Sequence, residues 1–149
     1  MSAFPEPKPA QILRYAYLWR DEAEAGAEEG AKDRPAVVVL VSQRHGDQLR
    51  VIVAPITHSP PADPRDGLEI PSATCARVGL DSERQWIIAA EVNAFVWPGP
   101  DLRPKAGKGA ESVLLGYLPP NTFARLRDRI VALGRERRFR VVERSGEKE

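Results

Sequence analysis

The sequence predicts a mainly β fold with one helix near the C-terminus, arranged as a compact β-barrel on which the helix packs. Two apolar, β-branched runs at residues 36–41 and 51–56 have the composition of buried strands. Frequent Pro and Gly residues keep the predicted strands short. Over residues 123–133 the apolar positions recur every three or four residues, as in an amphipathic helix. Short strands in series followed by one helix favour this architecture.

The length and composition are those of one globular domain spanning residues 1–149. Of the 149 residues, 42% are hydrophobic and 29% are charged, and these values argue against wholesale disorder. We expect residues 1–10 to be flexible and residues 145–149 to fray, because chain ends are rarely tied down.

The apolar segments are too short for a membrane span, which needs about 20 residues. The first nine residues contain three prolines and lack the apolar centre of a secretory signal. We therefore expect a cytoplasmic protein with no membrane partner.

The cysteine and histidine content limits the possible metal chemistry. Cys75 is the only cysteine, so an intramolecular disulfide is excluded, and the two histidines, His45 and His58, are well separated. A His/Cys metal cluster is therefore not expected. The motifs GxxxxGK[ST], GxGxxG, HExxH and GxSxG are also absent. We expect neither a metal nor a cofactor.

The first half of the chain reads as three strands. Residues 11–19 mix β-branched and aromatic side chains and predict an edge strand. After an acidic loop, the six consecutive apolar residues 36–41 predict a strand covered on both faces. His45-Gly46-Asp47 has turn chemistry, so residues 49–56 are predicted to return as the second strand of a hairpin.

The second half is expected to alternate loops with shorter elements. The prolines between residues 60 and 67 argue against regular structure there, and residues 68–70 and 85–95 are predicted strands. Asn121 or Thr122 is the expected cap of the helix over residues 123–133. A last short strand is predicted at residues 140–143.

The near-neutral net charge of +1 hides an acidic stretch at residues 20–33 and an arginine-rich C-terminal part. A run of like charges is most often a solvated face. The alternative is a surface that follows the phosphates of a nucleic acid. The sequence leaves both interpretations open.

The first candidate site residue is Arg34, in the segment Lys32-Asp33-Arg34-Pro35 that precedes the apolar strand. Pro35 restricts the backbone before it, so the arginine is held with little loop freedom. Its planar set of donors suits a phosphate. The alternative is a surface arginine that pairs with Asp33 or with the acidic loop.

The second candidate is the segment Thr57-His58-Ser59, where a strand ends and prolines follow. The two hydroxyls can donate to a phosphate oxygen, and a histidine can transfer protons near neutral pH. Such a segment can equally serve as local turn capping.

The third candidate is Glu91, a carboxylate within a mainly apolar predicted strand. Its burial is costly without a partner or an opening to water, and Arg34 is a fitting partner. Alternation places Ala89, Glu91 and Asn93 on one face of the strand. An ion pair that merely closes the barrel is the competing interpretation.

Taken in order, these segments resemble the MazF/PemK family of endoribonuclease toxins. The matching features are Arg34-Pro35 before an apolar strand, the run VIVAPITHS at residues 51–59, Val78-Gly79-Leu80, Glu91, and Gly116-Tyr117-Leu118 before the helix. The resemblance covers roughly residues 11–133, and the RP pair followed by the PIT triplet is its most specific part.

The resemblance implies an SH3-like barrel of the MazF/PemK/CcdB toxin type and a homodimer. It also implies that the protein, like MazF/PemK toxins, cuts single-stranded RNA without metal and is silenced by an antitoxin protein. Arg34, Thr57 and Glu91 then match the family's catalytic positions. His58 stands where many members have Ser and is a further catalytic candidate. We expect Lys32, Ser59 and Asn93 to contact the substrate.

Two positions depart from the family pattern. Ala89 stands where some members carry an arginine that has been proposed as an acid, and Ala10 replaces the usual glycine before the first strand. The sequence therefore leaves two functions open. The first is a ribonuclease in which Glu91 removes the 2′-hydroxyl proton, and the second is a catalytically inactive or non-nuclease growth inhibitor that binds protein or RNA.

Overall fold

The fold was analysed in a computed structural model, which describes residues 4–16, 34–43, 46, 48–99 and 101–144. Within these ranges the chain is mainly β, with eight strands and one long helix near the C-terminus. The strands are β1 (Gln11–Tyr15), β2 (Arg34–Gln43), β3 (Leu49–Thr57), β4 (Gly67–Glu69), β5 (Trp86–Ile88), β6 (Glu91–Trp97), β7 (Leu114–Tyr117) and β8 (Arg140–Glu143). The helices are α1 (Ser72–Arg77) and α2 (Pro120–Arg135).

The strands form one mostly antiparallel sheet in the order β4-β5-β3-β2-β1-β7. The predicted hairpin is confirmed, since β2 and β3 pair antiparallel from Ala36 opposite Pro55 to Gln43 opposite Leu49. Only Gly46 of the predicted turn lies among the described residues, and its φ of 62° is in the left-handed region that glycine adopts without strain.

Strand β3 is the centre of the sheet because it pairs with two different strands on its other side. Its first part, from Leu49 to Val53, pairs antiparallel with β6, and its end, Ile56 and Thr57, pairs with β5. Strand β8 then adds to β6 in the single parallel pairing among the described strands. The end of β3 is thus brought close to the starts of β5 and β6.

Both faces of the central strands are covered, as the apolar run of β2 predicts. Val37, Ala54 and Ile56 belong to one core, which includes α2 residues Leu126 and Leu133. The opposite core contains Leu13, Tyr15, Ala36, Val38, Val51, Val53, Phe95, Leu102 and Val113. Strand β2 is not covered on both faces along its whole length. The register with β3 shifts after Val38, and Leu40 is 49% exposed.

The predicted strand at residues 85–95 is in fact two strands. β5 ends at Ile88 and β6 begins at Glu91. Between them, the backbone N–H groups of Ala89 and Ala90 both donate to the carbonyl oxygen of Asp66, at 2.7 and 3.2 Å. This contact with a distant loop bends the chain and places Glu91 at the start of a strand.

The helices differ from the sequence prediction in two respects. The short helix α1 was not predicted, and α2 is longer than expected. The cap of α2 is Pro119, so the predicted caps, Asn121 and Thr122, both lie inside the first turn. The last strand, β8, is confirmed at Arg140–Glu143.

The N-terminal residues that the structure describes pack against the sheet, although the sequence predicts flexibility there. Phe4 lies edge-on to Trp97 with ring centroids 6.5 Å apart, and Pro7 is buried. The side chain of Gln11 is 1% exposed, and its amide donates to the carbonyl of Glu6. The predicted frayed tail at residues 145–149 lies outside the described residues.

Candidate functional site

The end of β3 sends successive polar side chains to opposite sides. Thr57 and Ser59 line one pocket, whereas His58 lines another. The strand ends at Thr57, and the chain bends at His58 and Ser59. The segment that the sequence singled out therefore serves two pockets.

The Glu91 pocket, as we name the first, contains three of the predicted catalytic residues. Its volume of about 480 Å³ lies in the range that suits small organic ligands. Its walls come from the starts of β2 and β6, the end of β3 and the loop after β3. The lining residues are Arg34, Thr57, Ser59, Pro60, Pro61, Ala62, Asp66, Ile88, Ala90 and Glu91.

The hydroxyl of Thr57 is oriented by its own loop. Its Oγ1 accepts a hydrogen bond from the backbone N–H of Ser59 at 3.2 Å. A hydroxyl keeps its own hydrogen when it accepts, so Thr57 can still donate to an oxygen in the pocket. The local-capping and ligand-binding interpretations of this segment are therefore compatible.

The outer wall of the Glu91 pocket is fastened to the C-terminal helix. The guanidinium of Arg138 donates to Asp63 at 3.1 Å and also to the carboxylate of Asp66. Arg129, on α2, donates to the carbonyl oxygens of Pro64, at 2.9 Å, and Gly67. These arginines thus bind protein groups, which favours a structural use for this part of the basic C-terminal segment.

At the rim of this wall, Asp63 has a lowered pKa. Hydrogen bonding to Arg65 lowers the pKa of Asp63 from 3.8 to about 2, with a smaller contribution from the charge of Arg138. Asp63 also accepts from the backbone N–H of Arg65 at 2.9 Å. The carboxylate therefore stays charged over the whole physiological range and holds the loop through its charge.

The second pocket, named the His58 pocket, adjoins the first because Arg34 lines both. Its volume is about 230 Å³, smaller than that of the Glu91 pocket. The lining residues are Arg14, Arg34, Pro35, His58, Gly79, Leu80, Asp81, Gln85 and Leu115. Arg14 is held in place by a hydrogen bond from its Nε to the carbonyl of Arg103 at 3.0 Å.

His58 is paired with a carboxylate that sequence reasoning missed. Its Nε2 lies 2.8 Å from Oδ2 of Asp81, and the two side chains are 50% and 54% exposed. The other oxygen of Asp81 accepts from the backbone N–H of Glu83 and from the buried side-chain amide of Gln85, both at 3.0 Å. Both carboxylate oxygens are engaged, so Asp81 fixes the position of the imidazole.

The structure places the predicted site residues in four ways. Arg34, Thr57, Ser59 and Glu91 come together in one pocket, and His58 lies in the adjoining one. Lys32 lies outside the described residues. Asn93 is fully buried, so its predicted contact with substrate is contradicted by its position.

The burial of Asn93 follows from the direction of β6. Residues 91, 93 and 95 point to the same face of the strand. Glu91 begins the strand at the pocket, whereas Asn93 lies opposite Val53 inside the sheet and Phe95 lies in the second core. Phe95, on the same face, is also fully buried.

Cys75 does not belong to either pocket wall described above. It lies on α1 and is buried, and burial raises the pKa of its thiol. A raised thiol pKa reduces the thiolate fraction, so this residue has the properties of a core side chain. In the described ranges, no group of three or more His, Cys, Asp or Glu side chains is placed to hold a metal ion.

Comparison of the chain with models of known protein families found no match, and comparison with curated proteins found no significant similarity. Within the described part of the chain, none of the helices has the length and apolar character needed to cross a bilayer. The interpretation of the two pockets therefore depends on their own chemistry.

Proposed function

We propose that this protein is a metal-independent endoribonuclease that cuts single-stranded RNA, as MazF/PemK-type toxins do. The observation that carries the proposal is the arrangement of Arg34, Thr57 and Glu91 around one pocket. These residues are far apart in the sequence, and each lies at the end of a strand that meets the others there. They combine charge stabilisation, hydrogen-bond donation and proton acceptance, which serve the phosphate and the attacking 2′-hydroxyl in phosphodiester cleavage.

Each side chain has a defined role in the proposed reaction. Glu91 accepts the proton of the ribose 2′-hydroxyl, whose oxygen then attacks the adjacent phosphorus. Arg34 stabilises the negative charge that develops on the phosphate, and the Thr57 hydroxyl donates to one of its oxygens. Ser59, in the same pocket, is a substrate-binding residue.

The proposal includes the fold, an SH3-like barrel of the toxin type. The support is the antiparallel hairpin of β2 and β3, together with the switch of partners along β3 from β6 to β5. A strand that changes partners lets a small sheet curl around its core.

The direct test is incubation of the purified protein with a long single-stranded RNA in EDTA, followed by mapping of the ends. We expect cleavage at a limited set of sites with 2′,3′-cyclic phosphate ends, and loss of cleavage when the nucleotide before the cut carries 2′-deoxyribose. Cleavage that stops in EDTA, or that continues on the 2′-deoxy substrate, would overturn this mechanism. Tight RNA binding without cleavage would indicate the inactive, RNA-binding form of the fold instead.

We also propose a homodimer and an antitoxin partner, on the strength of the resemblance. Leu40 and Val141, 49% and 42% exposed, are candidate contact residues for self-association. Sedimentation at tens of micromolar should show a two-fold species, and a purely monomeric protein would contradict this part of the proposal.

A further inference from the structure

Arg34 separates two pockets that carry different acid–base groups. The Glu91 pocket contains a carboxylate, whereas the His58 pocket contains an imidazole bound to Asp81. Thr57 and Ser59 line the first pocket and His58 lines the second, so the segment that follows β3 serves both pockets. A phosphate held by Arg34 would therefore have Glu91 on one flank and His58 on the other.

This division matches what cleavage through the 2′-hydroxyl requires. The attacking and departing oxygens lie roughly in line on opposite sides of phosphorus. The attacking side needs a proton acceptor, and the departing side needs a proton donor, because a ribose 5′-alkoxide is a poor leaving group. One carboxylate cannot serve both sides of the phosphate in the same step.

We infer that His58 is the general acid that protonates the departing 5′-oxygen, and that Asp81 is its positioning residue. The inference rests on the proposed function and extends it by assigning the His58 pocket to the leaving nucleoside. Some MazF/PemK toxins carry an arginine, proposed as an acid, where this chain has Ala89. In this chain, His58 would supply the acid instead.

The geometry of Asp81 suits this role. An ionised carboxylate is an acceptor only, so its contact of 2.8 Å with Nε2 favours the ring states in which Nε2 carries a proton. In the imidazolium, both ring nitrogens carry protons, and Nδ1 is the atom that can face a ligand in the pocket. The hydrogen bonds from Glu83 and Gln85 keep the carboxylate in place while the ring changes its charge.

The exposure of the pair also suits proton transfer. Each side chain leaves about half of its surface in contact with water, at 50% for His58 and 54% for Asp81. An acid that loses its proton in each turnover must be reloaded, and solvent access allows water to do this. A fully buried pair would hold its proton state against exchange.

The step balances as follows. The 2′-hydroxyl proton passes to Glu91, and the 2′-oxygen forms a bond to phosphorus. The bond from phosphorus to the 5′-oxygen breaks, and its electron pair leaves with that oxygen, which takes the proton from Nδ1 of the His58 imidazolium. The products are a 2′,3′-cyclic phosphate and a 5′-hydroxyl, with neutral His58 and protonated Glu91 restored by exchange with water.

The test uses two versions of one RNA substrate, with oxygen or sulfur as the bridging 5′-atom at the cut. A thiolate departs without a proton because thiols are much stronger acids than alcohols. On the oxygen substrate, His58→Gln should cut about 100-fold or more slowly than the parent. On the sulfur substrate, the same variant should cut within a few-fold of the parent, whereas Glu91→Gln should be slow on both.

The Asp81→Asn variant tests the positioning role. It should lose less activity on the oxygen substrate than His58→Gln and should recover on the sulfur substrate in the same way. A merely structural role for Asp81 would slow cleavage of both substrates alike. Glu69→Gln is the matched control, since it breaks the neighbouring exposed pair between Glu69 and Arg84, 2.8 Å apart, without touching His58.

The outcomes separate the two levels of the proposal. If the parent cuts the oxygen substrate and His58→Gln cuts it equally well, the assignment of His58 is wrong while the ribonuclease function stands. If His58→Gln is slow on both substrates, His58 acts in binding or folding and is not the acid. If the parent cuts neither substrate, the proposed function itself fails and this inference fails with it.

Discussion

Among the ion pairs that join distant segments of this protein, Arg144–Asp101 and His58–Asp81 lie in opposite environments. Arg144 binds Asp101 through two hydrogen bonds of 2.5 and 3.0 Å, and the two side chains are only 1% and 5% exposed. His58 binds Asp81 through one contact of 2.8 Å, with both side chains about half exposed. The first pair lies beside the second core, and the other lies in the proposed site.

The pKa of the neighbouring Tyr15 phenol reflects the buried environment of the Arg144–Asp101 pair. Burial raises the pKa of the Tyr15 phenol well above its ordinary value, and the negative charge of Asp101 raises it further. Water is excluded from this region, so each charge depends on its partner. The buried pair therefore maintains the structure, whereas the exposed pair stays in contact with water.

The largest expected effect comes from breaking the buried pair. Arg144→Met leaves the carboxylate of Asp101 buried without its main partner, which should lower the free energy of unfolding by about 3–5 kcal/mol. Urea denaturation of parent and variant measures the change. The double variant Asp101→Leu/Arg144→Met should regain much of the loss, because neither charge remains buried.

A loss below about 1 kcal/mol in the single variant would show that water or another group replaces the arginine, since that is the range of an exposed pair. The Arg144–Asp101 pair would then contribute no more to the free energy of unfolding than an exposed pair does, despite its burial.

The next effect concerns the site and should leave stability unchanged. Arg34→Ala should lower kcat/KM for RNA cleavage by about 100-fold, or about 2.7 kcal/mol, because one charge-stabilising donor is removed. The melting temperature should stay close to that of the parent, since Arg34 is only partly buried at the start of a strand. Single-turnover cleavage and thermal melting measure the two quantities.

Arg50→Ala is the matched control for this variant. Arg50 forms a partly exposed pair with Glu143 on the far part of the sheet, so its loss should leave cleavage intact. An Arg34→Ala protein that cuts RNA as fast as the parent would remove the central element of the proposed site.

The smallest effect concerns the exposed loop that forms the wall of the Glu91 pocket. Because the folded-state pKa of Asp63 is lowered from 3.8 to about 2, its charge stabilises the fold above about pH 4. That contribution is lost as the pH falls through about 2, where the folded state also becomes protonated. Asp63→Asn keeps an oxygen that can accept from the backbone of Arg65 but removes the charge.

The melting temperatures of parent and Asp63→Asn should therefore differ slightly at pH 5 and converge as the pH approaches 2. A difference that is constant over this range would mean that the charge of Asp63 contributes nothing and that the hydrogen bond to the backbone holds the loop.

Much of the fold could be predicted because its elements depend on local patterns. The β2–β3 hairpin follows from two apolar runs and a turn, and helix α2 follows from the spacing of Leu126 and Leu133. The break between β5 and β6 could not be predicted, because Ala89 and Ala90 continue an apolar run in the sequence. Their hydrogen bonds to Asp66 come from a loop more than 20 residues away.

In the candidate site, too, some features follow from local sequence and others depend on contacts between distant segments. The sequence by itself singled out Thr57, His58 and Ser59 at the end of a strand, because the apolar run stops there and prolines follow. Only the tertiary structure decided that Arg34 lies between two pockets, that Asp81 meets His58, and that Asn93 is buried. These features depend on contacts between segments far apart in the chain, and a local sequence pattern does not show which distant side chains share a pocket.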